Sequence, residues 1–233
     1  MRVLFVGNSH TYFNDMPELF ACMYCQIEGT RPEVTMLAYS GRDLKWHRSE
    51  YFSLRFALMY GSYDYCLIQQ QAHPFPEEDF TEQWLDQVVE MCRRCHVKPI
   101  IYMTWAAKAQ PEMTAVMSSF YRRMAEKHCC DLLPVGEMFA DITQIGPEYD
   151  LYWNDGEHAS PYGDYMIASS LVRFITGRDI SPLTADGIDF AVRFDPETSL
   201  PQAEENTESV TVKLDEKTVE LIKKIVMKTI KEK

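Results

Sequence analysis

Residues 2–11 read RVLFVGNSHT, and this stretch decides how the rest of the chain is interpreted. Its apolar run, residues 3–6, ends at a glycine and is followed by four polar residues. Short apolar runs bounded in this way are typical of buried strands. The run is too short for the apolar core of a signal peptide or for a membrane span. We therefore predict a core strand that ends in a polar turn.

Beyond this strand, short apolar runs alternate with longer helical patterns. Four further strands are predicted, at residues 34–39, 65–68, 99–103 and 132–135. Helices are predicted at residues 14–27, 51–59, 77–95, 111–128, 160–175 and 215–231. Strands that alternate with helices favour parallel pairing through right-handed crossovers. The predicted fold class is therefore α/β, a three-layer α/β/α sandwich with a central parallel five-stranded sheet.

The composition excludes several other classes of protein. The chain has 233 residues, 46% hydrophobic and 25% charged, which is typical of a globular protein and not of a disordered or fibrous one. A net charge of −12 argues against nucleic-acid binding, because phosphate contacts need a basic surface. No apolar run is long enough for a membrane span. We expect one domain at residues 1–177, followed at 178–233 by an irregular wrap and a helix that packs on that domain.

The location and the redox state of the chain are predicted together. No export signal precedes the first strand, so we expect a cytoplasmic protein whose seven cysteines are reduced thiols. Cys22 and Cys25 form one C-x-x-C pair, and Cys92 and Cys95 form another. Two such pairs can bind zinc, but both fall inside predicted helices, where core packing is the favoured interpretation. We therefore predict no metal site, and no nucleotide-binding loop is present in the sequence.

Polar residues that follow the predicted strands carry the candidate chemistry, because open parallel sheets bind ligands at the carboxyl ends of their strands. They include, in chain order, Asn8, Ser9, His10, Gly41, Gln69, Gln71, His73, Trp105, Asp155 and His158. A serine, a histidine, a carboxylate and amide donors are the groups that acyl transfer requires. The sequence therefore favours an acyl-transfer site at this edge of the sheet.

Three short blocks of the sequence resemble one family. GNSHT at residues 7–11 is similar to the first block of the SGNH (GDSL-type) hydrolases, and DGEH at 155–158 is similar to their last block. The most similar subgroup is bacterial, with a GNSxT first block, an LQxQS-like third block and a DGxHxSxxG ending. Here the corresponding stretches are LIQQQAH at 67–73 and DGEHASPYG at 155–163. The resemblance covers residues 2–177 and implies a flavodoxin-like SGNH hydrolase fold.

The resemblance also implies a Ser-His-Asp triad. Ser9 is the expected nucleophile, His158 its general base, and Asp155 the carboxylate that orients His158. A spacing of three residues lets one turn place Asp155 against one ring nitrogen of His158. The implied activity is that of a serine esterase. The resemblance thus implies an enzyme that cleaves a small-molecule ester, such as an acetyl ester of a carbohydrate or another short-chain ester. The expected reaction proceeds through an acyl-serine intermediate and without a cofactor.

The oxyanion hole is where the sequence departs from the family. The resemblance implies donors from the backbone N–H groups of Ser9 and Gly41 and from a side-chain amide. The family's third block supplies that amide from an Asn, which this sequence lacks. Strand alternation places Gln69, Gln71 and His73 on one face, so each is a candidate, and we expect Gln71. Asn8 replaces the usual Asp before the serine, at a position outside the triad.

Further residues are candidates for the pocket, and other functions stay open. Asn8, His10, Gln69, His73 and Trp105 are possible pocket residues, although His10 also suits a structural role, His73 an exposed one and Trp105 the core. The missing third-block Asn leaves open a non-catalytic ligand-binding domain that retains the fold. The same triad also suits an acyltransferase. The oligomeric state is not predicted.

Overall fold

The computed structural model describes residues 1–185, 189–190, 210–211 and 213–231. The chain divides into two compact units. The first comprises Met1–Thr11 and Pro32–Asp141, and the second comprises Tyr12–Arg31 and Ile142–Lys233.

The first unit contains the predicted parallel sheet. Its strands are β1 (Arg2–Gly7), β2 (Glu33–Ala38), β3 (Tyr65–Gln69), β4 (Lys98–Tyr102) and β5 (Asp131–Leu133). The strand order is β2-β1-β3-β4-β5, and every neighbouring pair is parallel. The predicted α/β fold class with a central five-stranded parallel sheet is therefore confirmed, and each predicted strand is present within one or two residues.

The helices that follow these strands bury one side of the sheet. They are α3 (Leu44–Ser49), α4 (Tyr51–Tyr60), α5 (Glu78–Arg94) and α6 (Met113–His128). Alternate sheet residues, among them Leu4, Val6 and Ile68, form one apolar core cluster with residues of these helices such as Leu85 and Phe120. The intervening residues of β1, β3 and β4, such as Phe5, Leu67 and Ile100, are also buried, as expected for parallel strands that form continuous apolar runs, whereas the edge strand β2 is only partly buried.

Four short helical segments were not predicted. They are α1 (Ser9–Tyr12), a 3₁₀ turn (Phe13–Asp15), α3, and α7 (Val135–Thr143). The segments at 9–15 and 44–49 are too short for a helical repeat of apolar residues to show in the sequence. For α3, the sequence offers one signal, an aspartate directly before the helix. Asp43 caps α3 by accepting a hydrogen bond from the Trp46 N–H at 2.7 Å.

The second unit is built on helices α2 (Met16–Glu28), α8 (Pro161–Thr176) and α9 (Glu216–Thr229). As predicted, α8 begins at a Ser-Pro pair, with the Ser160 hydroxyl accepting from the Gly163 N–H, and Gly177 ends it at a φ of 67°. Most side chains of α8 are buried, so it forms the core of this unit. Helix α9 packs against it, and the Arg173 guanidinium donates to the Ile230 carbonyl at 3.1 Å.

The stretch predicted to be irregular, residues 178–208, is described only in part. Residues 178–185 contain no helix or strand, in agreement with the prediction. A short strand, β6 (Asp189–Phe190), pairs with β7 (Val210–Thr211) in an antiparallel ribbon that was not predicted. The remainder of the stretch lies outside the described residues. In the part of the chain that the structure describes, no helix is long and apolar enough to cross a membrane.

Candidate active site

Ser9 lies at the turn that joins the end of β1 to α1. Its backbone begins α1, and the residue is 7% exposed. The glycine two residues earlier, Gly7, is required here, because a Cβ at this position would lie 2.3 Å from Gln69 Oε1 and 2.4 Å from Thr11 Oγ1. The close approach of these side chains to the backbone therefore explains the glycine of the first block. We call residues 7–11 the nucleophile turn.

The Gln69 side chain holds the nucleophile turn from the end of β3. Gln69 Oε1 accepts hydrogen bonds from the Asn8 N–H at 2.7 Å and from the Thr11 hydroxyl at 2.9 Å. Its Nε2 donates to the Gln70 carbonyl, and the residue is 1% exposed. Both ends of this amide are thus used inside the protein.

Asn8 connects the nucleophile turn to the loop after β2. Its Nδ2 donates to the Arg42 carbonyl at 3.0 Å, and its Oδ1 accepts from the His10 N–H at 3.1 Å. An aspartate could accept from His10, but an ionised carboxylate has no hydrogen with which to bond the Arg42 carbonyl. The Asn in place of the family's Asp therefore has a structural reason in this chain.

The loop that carries Gly41 is exposed and turns tightly. Gly41 has a φ of 66°, a conformation that favours glycine, and the Arg42 N–H closes the turn on the Tyr39 carbonyl at 3.1 Å. At the start of α3, the Leu44 N–H donates a hydrogen bond to Gln70 Oε1 at 2.9 Å. The same oxygen accepts from the Gln71 N–H at 2.9 Å, so one side chain connects this loop to the end of β3.

His47 contacts the backbone of the nucleophile turn at Gly7. The residue is 2% exposed, and its Nε2 lies 2.7 Å from the Gly7 carbonyl, which also accepts from the Tyr39 N–H. The carbonyl can only accept, so the imidazole carries its proton on Nε2. Burial lowers the pKa of His47, although the hydrogen bond to Gly7 and the charge of Asp43 act in the opposite direction. We infer that His47 is neutral at pH 7.

Three of the predicted pocket residues form an aromatic cluster in the first unit. The ring centroid of His10 lies 4.7 Å from that of His73 and 5.2 Å from that of Trp105. The Tyr102 hydroxyl donates to the His10 carbonyl at 3.3 Å. Trp105 is 1% exposed and stacks on Phe139 at 4.5 Å. The indole of Trp105 is therefore part of the core.

Asp155 and His158 are brought together in the second unit. Asp155 Oδ2 lies 2.6 Å from His158 Nδ1, and Asp155 Oδ1 accepts from the backbone N–H groups of Glu157 and His158 at 2.8 and 2.9 Å. Gly156 has a φ of 73°, which lets the chain turn inside this block. The geometry fixes the tautomer, since the carboxylate accepts the proton of Nδ1 and leaves Nε2 with a lone pair.

The charge of Asp155 is stabilised by these contacts. Partial burial acts to raise the pKa of Asp155, but hydrogen bonds from the His158 ring and from the N–H groups of Glu157 and His158 lower it well below its usual range. Asp155 is therefore ionised wherever an imidazole is neutral, and it can stabilise a positive charge that forms on His158.

The loop around His158 is held by aromatic and backbone contacts. The Phe13 ring stacks on the His158 ring, with centroids 4.6 Å apart and planes at 22°, and Trp153 meets Phe13 edge-on. The Trp153 N–H donates to the His158 carbonyl at 2.8 Å, and Tyr152 forms an antiparallel bridge with Ala159. We call residues 152–159 the histidine loop.

The structure thus brings most of the predicted residues into two groups. Contacts within the first unit join the stretches that carry Asn8, Ser9, His10, Gly41, Gln69, Gln71, His73 and Trp105. Contacts within the second unit join Asp155 and His158. The pairing of Ser9 with His158 and the choice of Gln71 for the oxyanion hole stay predictions.

Several residues of these groups were not identified from the sequence. His47 and Gln70 act through contacts over 40 and 26 residues, which no local pattern reveals. In the sequence, Phe13 is an ordinary aromatic residue between Tyr12 and Asn14. The one available signal was the polar run at 69–71 directly after an apolar strand, which marks side chains that need partners inside the protein.

The cysteines were the other candidates for a site. Cys92 is buried as predicted, in the same apolar core cluster as Cys66. The interaction with Cys92 and burial both raise the pKa of the Cys66 thiol. Cys22 and Cys25 are half-buried on α2. Among the described residues, no three His, Cys, Asp or Glu side chains are grouped as a metal site would require.

The comparisons with known proteins find the fold and no sequence family. No protein-family model and no curated protein sequence matches the chain. Solved structures of esterases and acylhydrolases do match, at identities of 12 to 18%. The chain therefore has the fold of these hydrolases, which is the fold that the resemblance implied.

Three of these structures illustrate the similarity. LAE5, an α/β hydrolase from the metagenome of Lake Arreo in Spain, is 17% identical with a TM-score of 0.62, covering 73% of this chain and 93% of its own. Axe2, an acetylxylan esterase from Geobacillus stearothermophilus, is 16% identical with a TM-score of 0.60, covering 74% and 92%. A lipolytic protein of the G-D-S-L family from Veillonella parvula is 12% identical with a TM-score of 0.57, covering 76% and 97%.

Proposed function

We propose that the protein is a serine esterase that hydrolyses a small-molecule ester through a Ser9-His158-Asp155 triad. One observation carries the proposal, namely the 2.6 Å contact between Asp155 Oδ2 and His158 Nδ1. It gives His158 the tautomer of a general base, with the ring lone pair on Nε2. The shared fold of the esterase structures supports the same activity.

The proposed reaction has two halves. Ser9 Oγ attacks the ester carbonyl carbon while its proton passes to His158 Nε2, and Asp155 stabilises the imidazolium. His158 then gives this proton to the departing alcohol, which leaves an acyl-serine. A water molecule, deprotonated by His158, attacks the acyl-serine and releases the acid, with the proton returning to Ser9. Neither half requires a metal or a cofactor.

Gln71 is the side chain that we propose for the oxyanion hole, beside the backbone N–H groups of Ser9 and Gly41. The amide of Gln69 is used at both ends, and Gln70 Oε1 accepts two backbone hydrogen bonds. Gln71 is half-buried, and its side-chain amide makes no hydrogen bond within the described residues. Its Nε2 is therefore the amide donor that remains available at the end of β3.

A short acyl group on a carbohydrate is the substrate class that we propose. The printed name of one structure with this fold is acetylxylan esterase. In this chain, the ring of His10, next to Ser9 in the nucleophile turn, packs against the ring of His73 with centroids 4.7 Å apart. We expect these rings to restrict long acyl chains near Ser9. A panel of 4-nitrophenyl esters from acetate to octanoate should show the highest kcat/KM for acetate, and preference for octanoate would reject this substrate class.

A fluorophosphonate probe tests the proposed activity. It labels a serine only where a base activates the hydroxyl, so wild-type protein should incorporate one equivalent at Ser9. Ser9→Ala should incorporate none, and His158→Ala should label far more slowly. Ser40→Ala, which removes an exposed serine of the first unit, is the matched control and should label like the wild type. Absence of labelling in the wild type would indicate a ligand-binding domain instead of an esterase.

A further inference from the structure

Asp164 is a carboxyl group enclosed within the second unit. It lies in the first turn of α8 and is 1% exposed. Its Oδ2 accepts a hydrogen bond from Asn14 Nδ2 at 2.6 Å. No arginine, lysine or histidine forms an ion pair with it in the part of the chain that the structure describes. A buried carboxylate without a cation is costly, so its protonation state needs an explanation.

Asn14, the partner of Asp164, has a buried oxygen that lacks a hydrogen-bond donor among the described residues. It is 1% exposed, and its Nδ2 donates to the Ala159 carbonyl at 3.0 Å as well as to Asp164. These two contacts fix the orientation of the amide, because a carbonyl oxygen can only accept. Asn14 Oδ1 is then buried with no hydrogen-bond donor among the described residues. A buried acceptor without a donor is unfavourable by an amount comparable to a lost hydrogen bond.

A proton on Asp164 removes both difficulties. It neutralises the buried carboxyl group, and it provides an O–H donor next to the Asn14 amide. Burial raises the pKa of Asp164 well above its usual range, and the Asn14 hydrogen bond opposes it without reversing it. The start of α8 also favours the anion. No charged side chain of the described residues contributes to this shift.

We propose that Asp164 keeps its proton in the folded protein at neutral pH and forms a buried acid–amide pair with Asn14. The pair positions the histidine loop, because the same Asn14 amide holds the carbonyl of Ala159, the residue directly after His158. Asn14 and Asp164 are thus positioning residues for the base. This positioning role rests on the proposed function, whereas the protonation state does not.

The ¹³C chemical shift of the Asp164 carboxyl group tests the protonation directly. Wild-type protein labelled with ¹³C-aspartate is titrated from pH 5 to 8, and Asp164→Asn identifies the resonance by its loss. We expect the shift of a protonated carboxyl group, unchanged between pH 5 and 7. A resonance that is already that of a carboxylate at pH 6 would overturn the proposal.

The pH dependence of stability provides a second readout. A raised folded-state pKa gives stability that is complete below the unfolded pKa of about 3.9 and is lost as the pH rises towards the folded value. Asp164→Asn retains a neutral pair and removes the titration. Between pH 5 and 7, the unfolding equilibrium constant of the wild type relative to Asp164→Asn should therefore increase about tenfold per pH unit. A ratio independent of pH would contradict the proposal.

The positioning role is tested by kinetics. Asn14 has a φ of 48°, so Asn14→Gly removes the side chain without backbone strain. It should lower kcat for 4-nitrophenyl acetate about tenfold with KM changed less than twofold, because a displaced base affects the reacting geometry more than binding. Ser53→Ala, which removes an exposed hydroxyl of the first unit, is the control and should retain kcat within about twofold. Full activity of Asn14→Gly would reject the positioning role.

Failure of the proposed function gives a different result. If Ser9 is not labelled by the fluorophosphonate probe, the esterase proposal fails and the kinetic arm has no activity to compare. The ¹³C shift and the unfolding measurements need no substrate. They decide the protonation of Asp164 in either case.

Discussion

The nucleophile turn and the histidine loop are held in opposite ways. Side chains from distant parts of the chain fix the first, with Gln69 acting over 61 residues and His47 over 40. The Asp155–His158 turn of the second is closed by its own residues, since Asp155 accepts from N–H groups two and three positions later, and Asn14 adds a contact to Ala159 from outside the loop. The nucleophile turn is buried, whereas the Asp155 side chain is 39% exposed.

This difference predicts how each region responds to substitution. A buried turn held by shared amides couples catalysis to stability, because removing one amide leaves buried N–H groups without partners. An exposed loop that is closed by its own hydrogen bonds can lose a side chain with little effect on the rest of the unit. Substitutions in the histidine loop should therefore affect activity alone, and those around the nucleophile turn should affect both.

The largest expected effect comes from removing the base. His158→Ala should lower kcat for 4-nitrophenyl acetate by about three orders of magnitude or more, as loss of a triad member does. Its midpoint of urea unfolding should stay close to that of the wild type, because the backbone contacts of the loop persist. Kinetics and unfolding are measured on the same preparation.

Glu157→Ala is the matched control, one residue away in the same exposed loop. It should retain both kcat and stability. Retention of more than a tenth of the wild-type activity in His158→Ala would contradict the assignment of the base. A large loss of stability in that variant would instead contradict the contrast between the two regions.

The second effect separates two neighbouring glutamines. Gln71→Ala should lower kcat by about 10²–10³ with little change in KM or stability, because an oxyanion donor acts mainly in the transition state. Gln69→Ala should lower the free energy of unfolding by about 2–4 kcal/mol, since the Asn8 N–H and the Thr11 hydroxyl lose their acceptor. Steady-state kinetics and urea titration distinguish the two.

Each glutamine variant is the control for the other. A large loss of kcat in Gln69→Ala at a temperature where it is fully folded, with Gln71→Ala unaffected, would move the oxyanion donor to Gln69. If neither variant loses kcat, His73 becomes the candidate, because its ring packs against that of His10 in the nucleophile turn.

The sequence predicted the local parts of this arrangement and not the long-range ones. Strand β1 and the Ser160 cap of α8 follow from apolar runs and cap residues that are adjacent in the chain. The contact of Asp155 with His158 follows from their spacing of three residues. The parallel pairing of the strands follows from their alternation with helices.

The contacts that hold the nucleophile turn could not be predicted in the same way. Gln69, Gln70 and Gln71 are three identical side chains in sequence, and only the folded chain shows which amides are used internally. His47 lies in a helix too short to produce a periodic pattern. Burial and partner choice depend on residues that are distant in sequence, and strand-end placement narrows the candidates without ranking them.

The smallest effect concerns His47 and the pH dependence of stability. Burial lowers the pKa of His47 in the folded protein below the value near 6.5 that it has when unfolded. Its contribution to stability is therefore present above about pH 6.5 and is lost as the pH falls towards the folded pKa. His47→Gln keeps an N–H that can donate to the Gly7 carbonyl and removes the titration.

Relative to this variant, the wild type should lose roughly 1 kcal/mol of unfolding free energy between pH 7.5 and 5.5. Urea titrations of both proteins at each pH measure the difference, and parallel pH curves would mean that the nucleophile turn does not depend on a neutral His47. A difference that grows as the pH falls would show that protonation of His47 destabilises the folded protein.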